Sequence, residues 1–146
     1  MHLRAVGQCF KWGLFDRDPL PRWSSGRVTI LGDAAHPMLP FLAQGAAMAI
    51  EDAYVLARQI AVNGRDVTAA LANYEAARLP RTARVQQAAR AQGHINHLRS
   101  PLRRLMRNLS FRLGQSLQRR PNAIGTNWIY EYDATLDDRS PAVAIH

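Results

Sequence analysis

The stretch that decides the fold spans residues 27–52 and reads RVTILGDAAHPMLPFLAQGAAMAIED. Its first part, residues 27–31, is a compact β-branched run between glycines, which predicts a buried strand. Pro37 and Pro40 then predict a loop, because proline lacks a backbone N–H donor. A helix is predicted from Gln44 to Val62, and its apolar character on nearly every side indicates that it is buried.

The end of the strand and the start of the helix together predict a ligand site. Asp33 follows the carboxyl end of the strand, where open α/β sheets bind ligands, and its carboxylate can accept hydrogen bonds from hydroxyl groups. The helix start near Gly45 would present free N–H groups and partial positive charge to an anionic ligand atom. These residues therefore suit a polyhydroxylated, partly anionic ligand. The alternative is that Asp33 only caps a turn.

The rest of the chain predicts one more strand and several helices. The alternation over residues 10–15 predicts a short strand with one buried face. Asp66 is expected to cap a second helix, which Pro80 kinks or interrupts. The sequence NWIYEYD at residues 127–133 is predicted to dock as an extended piece.

A third helix is predicted to restart at Ser100-Pro101, with serine as the cap and proline in the first helical position. The leucines around it recur at helical spacing, and we expect them to form a packed apolar face. These leucines are Leu98, Leu102, Leu105, Leu109, Leu113 and Leu117.

Composition limits the class of protein. The chain has 146 residues, 47% of them hydrophobic and 21% charged, which suits an ordinary globular domain rather than a disordered one. The only cysteine, Cys9, excludes a disulfide framework and predicts a reduced, cytoplasmic compartment. No apolar stretch is long enough to predict a transmembrane helix. Because a stable sheet normally needs three or more strands, the sequence looks like part of a larger α/β domain.

The net charge of +8 is unevenly distributed, since residues 76–130 hold eleven arginines and no Asp or Glu. One interpretation is a surface for phosphates, which would make the chain a non-enzymatic basic module for nucleic acid or an anionic surface. The favoured interpretation is that arginine stems cover apolar helix faces, which argues against nucleic-acid or membrane partners. A third hypothesis is that the chain is a remnant of a larger protein and has no function of its own.

Carboxylates and arginines outside the ligand site are predicted to be structural. Glu51 and Asp52 are expected to be solvated or salt-bridged helix positions, with Arg58 within reach of Glu51. Three arginines at helical spacing are expected to form ion pairs with an absent portion or to line a surface: Arg78, Arg81 and Arg84.

The histidines give weak signals. His36 lies inside the deciding stretch, and its imidazole could act as a base near neutral pH. His94 and His97 are spaced so that a helix could bring both to a metal, but no carboxylate or cysteine lies near them in sequence. No metal site is predicted.

The deciding stretch carries a family resemblance. Residues 26–53, GRVTILGDAAHPMLPFLAQGAAMAIEDA, resemble the second flavin-contacting motif, the GD motif, of FAD-dependent aromatic-ring hydroxylases. Salicylate hydroxylase and 6-hydroxynicotinate 3-monooxygenase belong to this family. The similarity extends to WGLFDRDPLPRW at residues 12–23, YEAARLPRTARVQ at 74–86 and WIYEYD at 128–133.

The resemblance implies a flavin site and assigns residues to it. The implied cofactor is FAD, the co-substrate NADH or NADPH, and the substrate a small aromatic molecule. Gly32 and Asp33 would meet the ribityl–ribose region, and Pro37 and Pro40 would wall the flavin and border the substrate cavity. His36 would shape the loop. Backbone N–H groups for the pyrimidine side of the flavin would come from Gln44, Gly45, Ala46 and Ala47.

The implied fold class is helix-dominated α/β, as the incomplete C-terminal portion of a flavoprotein hydroxylase. The Gly-x-Gly-x-x-Gly motif, the middle Asp-Gly motif and the substrate-covering sheet of the family are absent from this sequence. The chain is therefore expected to be a truncated product, a mis-called start or one piece of a split protein. Its predicted partner is the N-terminal FAD-binding portion, without which it should neither hold FAD tightly nor turn over.

Four regions are predicted along the chain. Residues 1–26 would be the end of the substrate-side sheet with a linker, and residues 27–64 the strand, GD motif and helix of the FAD-binding domain. Residues 65–134 would be a C-terminal helical region, and residues 135–146 a tail.

Overall fold

The computed structural model describes residues 8–117 and 127–136. Their architecture is a short hairpin, two tight turns and four helices in which the two longest helices pack side by side. The strands are β1 (Ser24–Ser25) and β2 (Val28–Thr29), the 3-10 turns are Gly32–Ala34 and Pro40–Leu42, and the helices are α1 (Gly45–Asn63), α2 (Val67–Asn96), α3 (Pro101–Leu117) and α4 (Asn127–Tyr130).

The hairpin is much smaller than the predicted sheet. β1 and β2 pair antiparallel, with Ser24 opposite Thr29 and Ser25 opposite Val28. The predicted buried strand over residues 27–31 is wrong, because only two of its residues pair and Val28 is 69% exposed. No other strand in the described part of the chain extends this two-stranded sheet.

The predicted strand over residues 10–15 is also wrong. These residues have no regular structure, and the aromatic side chains of Phe10, Trp12 and Phe15 are exposed. A strand forms only when a neighbouring strand takes up its backbone hydrogen bonds, and the described residues supply none here.

Helix α1 begins and ends where the sequence predicts. Gln44 precedes its first residue, and Gly64 ends it with a φ of 55° and an N–H donated to the carbonyl of Ile60. A positive φ favours glycine, which explains the stop. The prediction that α1 is buried on nearly every side is wrong for this chain, since Ile50 is 71% exposed.

Helix α2 confirms its predicted cap, because the Asp66 carboxylate accepts a hydrogen bond of 3.0 Å from the N–H of Ala69. The helix continues through Pro80 without an interruption. Side chains are buried on both sides of the proline, from Leu71 to Ala89, so both halves of the helix pack against the rest of the protein.

The apolar core lies between the hairpin and the two long helices. Trp23, Ala35, Val55 and Tyr74 form its buried centre, and the Trp23 ring lies 5.7 Å from that of Tyr74. The core therefore packs directly behind the turn that follows β2. Partly buried side chains complete it: Leu20, Ile30, Leu56, Ala77, Leu79 and Ala134.

The restart of helix α3 is confirmed, since Pro101 is its first residue and the N–H of Arg104 donates to the carbonyl of Ser100 at 3.0 Å. The packed leucine face is wrong where it is described, because no described element covers it. Leu98 is half-buried, and the side chain of Leu117 lies outside the described residues. The exposed members are Leu102, Leu105, Leu109 and Leu113.

The segment that follows docks on the core but is not extended. Residues 127–130 form the single helical turn α4, which buries Ile129 to 3% exposure. Residues 137–146 of the predicted tail lie outside the described range. None of the helices in the described ranges combines the length and apolarity needed to cross a membrane.

Candidate functional site

The GD turn, residues Gly32–Ala34, carries Asp33 at an exposed position. Gly32 has a φ of 58°, and a Cβ added to it would lie 3.3 Å from the Cβ of Ala49. The N–H groups of Ala35 and His36 both donate to the Gly32 carbonyl at 2.9 Å. The turn therefore requires glycine at its first position and presents the following carboxylate outward.

The Asp33 carboxylate and the start of α1 face the same space. A Cβ added to Gly45 would lie 3.9 Å from the Oδ1 atom of Asp33 and 3.9 Å from the Cγ atom of Met38. The side chain of Gln44 does not cap the helix, and the N–H of Met48 donates to the Gln44 carbonyl within it. The N–H groups of residues 45–47, in the first turn of α1, precede this first intrahelical hydrogen bond. They therefore lack partners within the helix and carry partial positive charge.

This geometry fits the flavin that the sequence predicts. An accessible carboxylate suits ligand hydroxyls, and a helix N-terminus that begins with a glycine lets an anionic ring edge approach the backbone. Ala46 is exposed, while Gly45 and Ala47 are half-buried. The roles of Gly32, Asp33 and residues 44–47 toward the cofactor remain predictions.

The loop between the turn and α1 is fixed against α2. The carbonyl of Pro37 accepts a hydrogen bond of 2.9 Å from the Nε2 group of Gln86, and Pro40 opens the second 3-10 turn. The Phe41 ring fills a notch at Gly93, where an added Cβ would come within 2.6 Å of the ring. Both prolines lie on the same connection as Asp33, and their substrate-side role stays a prediction.

His36 points into the protein rather than toward the Asp33 carboxylate side of the turn. Its side chain is 1% exposed, its Nε2 atom lies 2.6 Å from the Oδ2 atom of Asp52, and its ring lies 5.5 Å from that of Trp23. This position favours the loop-shaping role that the resemblance implies over proton transfer.

Sequence reasoning missed a buried network of charges behind the turn. Asp52 is fully buried and accepts a hydrogen bond of 2.8 Å from the Nε group of Arg78. Arg78 also donates to Glu51 at 2.7 Å, and Arg81 donates to both carboxylate oxygens of Glu51. The salt-bridged interpretation of both acids is therefore the observed one.

Of the three arginines predicted to pair with an absent portion or to line a surface, Arg78 and Arg81 pair within this chain, while Arg84 is exposed at the surface. Besides its ion pair with Glu51, Arg81 donates to the carbonyls of Trp128 and Ile129, and its guanidinium lies 3.8 Å from the Tyr132 ring centre. The guanidinium of Arg84 lies 3.8 Å from the Trp128 ring centre. Arg81 and Arg84 of α2 thus hold residues 128–132 on the rest of the protein.

Two further histidines lie in the described residues, His94 and His97. The Nδ1 group of His97 donates to the Gly93 carbonyl at 2.8 Å, and its ring packs edge-on against Phe41. In residues 8–117 and 127–136, no three His, Cys, Asp or Glu side chains are grouped so that they could hold a metal ion.

Burial alone raises the pKa of Asp52, but hydrogen bonds from His36, Arg78 and the Gly32 amide outweigh it and hold the pKa below the usual 3.8. The ionised carboxylate therefore stabilises the fold above the ordinary pKa of the unfolded chain, and this stabilisation is lost as pH falls through the lower folded pKa.

We expect the difference in free energy of unfolding between the wild type and Asp52→Asn to shrink from about pH 5 to about pH 2. Urea unfolding at each pH measures it, and subtracting the variant removes the titration of the other carboxylates. A difference that is independent of pH would contradict the folded-state pairing of Asp52.

Comparison with known proteins places this geometry in a family. A family model described as an FAD binding domain matches residues 11–89, which is more than half of the chain. The chain belongs to this FAD-binding family.

The relatives are aromatic monooxygenases. 6-Hydroxynicotinate 3-monooxygenase of Bordetella bronchiseptica is 52% identical over 86 residues, covering 58% of this chain and 22% of that protein. A salicylate hydroxylase in a substrate complex superimposes with a TM-score of 0.66 at 34% identity, over 85% of this chain and 29% of that one. Klebsiella pneumoniae R204Q HpxO complexed with FAD gives a TM-score of 0.58 at 35% identity, over 66% of this chain and 24% of that one.

The predicted family, fold class and cofactor are confirmed: this is a helix-dominated part of a flavoprotein hydroxylase fold, and the family cofactor is FAD. The chain spans 22 to 37% of the length of the curated relatives it matches. The four predicted region boundaries remain predictions.

Proposed function

We propose that this chain forms one wall of the FAD site in an NAD(P)H-dependent monooxygenase that hydroxylates a small aromatic ring of the salicylate or hydroxypyridine kind. The observation that carries the proposal is the convergence of the Asp33 carboxylate and the N-terminus of α1 on one accessible space. Membership in the FAD-binding family and the relatives named above support it.

In this proposal each group at the site has a binding task. Asp33 accepts hydrogen bonds from the ribityl–ribose hydroxyls, and Gly32 allows the turn that presents it. The N–H groups at residues 44–47 stabilise negative charge on the pyrimidine edge of the flavin, because they are oriented before the ligand arrives. FAD reduced by NADH or NADPH supplies the activation of oxygen for ring hydroxylation.

Pro37 and Pro40 border the substrate in this proposal. Their loop is fastened to α2 through Gln86 and through the Phe41 ring at Gly93, so the wall keeps its shape when an aromatic substrate packs against it. A rigid apolar wall also helps to exclude water from the reaction. The compartment we propose is the cytoplasm, which the single cysteine, Cys9, supports.

The proposed partner is an N-terminal FAD-binding portion, on the same polypeptide or a separate one. Large apolar side chains on α1, in the hairpin and just after it are exposed in this chain and would be covered by such a portion. They include Ile50 at 71%, Val28 at 69%, Tyr54 at 42% and Leu31 at 39% exposure.

The alternative function, a basic module for nucleic acid or an anionic surface, has less support. Several described arginines of the acid-free region are engaged within the chain. Arg78 and Arg81 pair with acids of α1, Arg84 stacks on Trp128, and Arg90 pairs with Asp16 and Asp18.

A chimera tests the proposal. In it, this chain replaces the matching C-terminal part of the Bordetella bronchiseptica 6-hydroxynicotinate 3-monooxygenase. We expect the purified chimera to carry flavin, seen by its visible absorbance, and Asp33→Asn to weaken FAD binding roughly tenfold, because a charge-assisted hydrogen bond becomes a neutral one. Flavin fluorescence titration of the apoprotein measures the affinity.

Asp66→Asn is the matched control, since it removes an exposed carboxylate while asparagine still caps α2. Its FAD affinity should equal that of the unmodified chimera. The proposal is wrong if the chimera folds without taking up FAD, or if Asp33→Asn and Asp66→Asn bind FAD equally well.

A further inference from the structure

One buried carboxylate holds the GD turn from both sides. The Oδ2 atom of Asp52 accepts a hydrogen bond of 3.0 Å from the N–H of Gly32 and lies 2.6 Å from the Nε2 atom of His36. Gly32 precedes Asp33 and His36 follows it, so the exposed carboxylate of Asp33 sits on a short span whose two ends meet at one anchor on α1.

The anchor is itself held in place. The Oδ1 atom of Asp52 accepts from the Nε group of Arg78 at 2.8 Å, and the same guanidinium donates to the Met48 carbonyl at 3.4 Å. Asp52 and Arg78 are both fully buried, so water cannot replace any of these contacts. The orientation of the Asp52 side chain is therefore fixed by the packing of α1 against α2.

We propose that Asp52 is a positioning residue of the flavin site: it orients the GD turn, and with it the Asp33 carboxylate, without touching the cofactor. The proposal rests on the proposed function, because it takes the Asp33 carboxylate to be the group that binds FAD. It assigns a ligand-orienting task to a side chain on the far side of the turn from the ligand.

The chemistry requires a carboxylate rather than an amide at position 52. Three donors reach its two oxygens: the Gly32 N–H, the His36 imidazole and the Arg78 guanidinium. An asparagine has one accepting oxygen, so its NH₂ group would face one of these donors. The buried Arg78 guanidinium is charged and takes the remaining oxygen, so the NH₂ group faces the Gly32 N–H and the turn loses that hydrogen bond.

Glu51 provides a matched control. It is adjacent in sequence, it binds the same Arg78 guanidinium at 2.7 Å, and its observed contacts run to Arg78 and Arg81. Glu51→Gln therefore perturbs the charge network without removing a hydrogen bond from the GD turn.

The test is amide hydrogen exchange on the ¹⁵N-labelled chain, followed residue by residue in NMR spectra. We expect Asp52→Asn to speed exchange at the Gly32 N–H at least about tenfold more than at mid-helix amides of α1 and α2, whose rates report the loss of global stability. Glu51→Gln should leave the Gly32 rate near that of the wild type. Equal Gly32 rates in the wild type and Asp52→Asn, or equal acceleration in both variants, would overturn the proposal.

If Asp52→Asn does not fold, the double variant Asp52→Asn/Arg78→Met takes its place. It removes both members of the buried pair and leaves Glu51 paired with Arg81, so no buried charge stands alone. The same loss of protection at Gly32 is expected.

The second readout is FAD affinity in the chimera. Asp52→Asn should raise the FAD dissociation constant at least about tenfold and Glu51→Gln less than about threefold. A chimera that takes up no FAD refutes the proposed function, whereas unchanged affinity in Asp52→Asn within a flavin-binding chimera refutes only the positioning role. The exchange rates decide independently whether Asp52 fixes the turn.

Discussion

Arg78→Met should lower the free energy of unfolding by about 3–5 kcal/mol, the usual cost of leaving a buried charge without its partner. Arg78 is fully buried and is the only described side chain that bridges Asp52 and Glu51. Methionine fills much of the same volume but supplies no donor. The buried Asp52 carboxylate would keep its bonds to the turn and lose its countercharge.

Urea unfolding followed by far-ultraviolet circular dichroism measures this loss. Arg104→Met is the control, because Arg104 lies exposed on α3 and surface substitutions usually change stability by less than about 0.5 kcal/mol. If the two variants unfold at the same urea concentration, the buried network does not hold α1 to α2.

Trp23→Ala is expected to cost about 3–5 kcal/mol, as removal of a large core aromatic usually does. Trp23 is 6% exposed and its ring contacts those of His36 and Tyr74, so the cavity would open directly behind the GD turn. The backbone N–H of Trp23 also donates to the Glu75 carboxylate at 2.8 Å, and alanine keeps this hydrogen bond because it has the same backbone N–H. The loss therefore reports packing alone.

Trp12→Ala is the matched substitution at an exposed tryptophan, since Trp12 is 83% exposed. It should leave the urea midpoint within error of the wild type. A similar midpoint shift for both tryptophan variants would mean that Trp23 does not pack in the core as described.

Local signals in the sequence were sufficient for the parts that depend on few neighbours. The stop of α1 at Gly64, the Asp66 cap and the restart of α3 after Ser100 each involve a side chain or φ angle within one turn. The convergence of Asp33 with the start of α1 was also predictable, because a short proline-bearing loop joins them.

Long-range partners were not predictable in the same way. The ion pairs of Asp52 and Glu51 reach α2 across 26 and 27 positions, and nothing in local spacing selects Arg78 over Arg58. The prediction of a buried strand at 27–31 was wrong for a related reason. An apolar run forms a buried strand only when further strands and covering helices surround it, and the described residues supply no further strand.

The same reasoning explains the leucines of α3. Their spacing shows that one face of the helix is apolar, but spacing cannot supply the surface that would cover it. The segment at 127–133 was predicted to dock, and its aromatic residues do contact the arginines of α2, while the single helical turn at 127–130 was missed. A four-residue helix leaves too short a pattern to detect.

The placement of charge in this molecule sets its response to ionic strength. Mobile ions screen charges that water can reach and scarcely affect those it cannot. Arg78 and Asp52 are sealed from water, whereas Arg90 holds the chain before the hairpin through Asp18, which is 88% exposed. Concentrated salt would therefore weaken the contact between Arg90 and Asp18 while the pair between Arg78 and Asp52 behind the turn kept its strength.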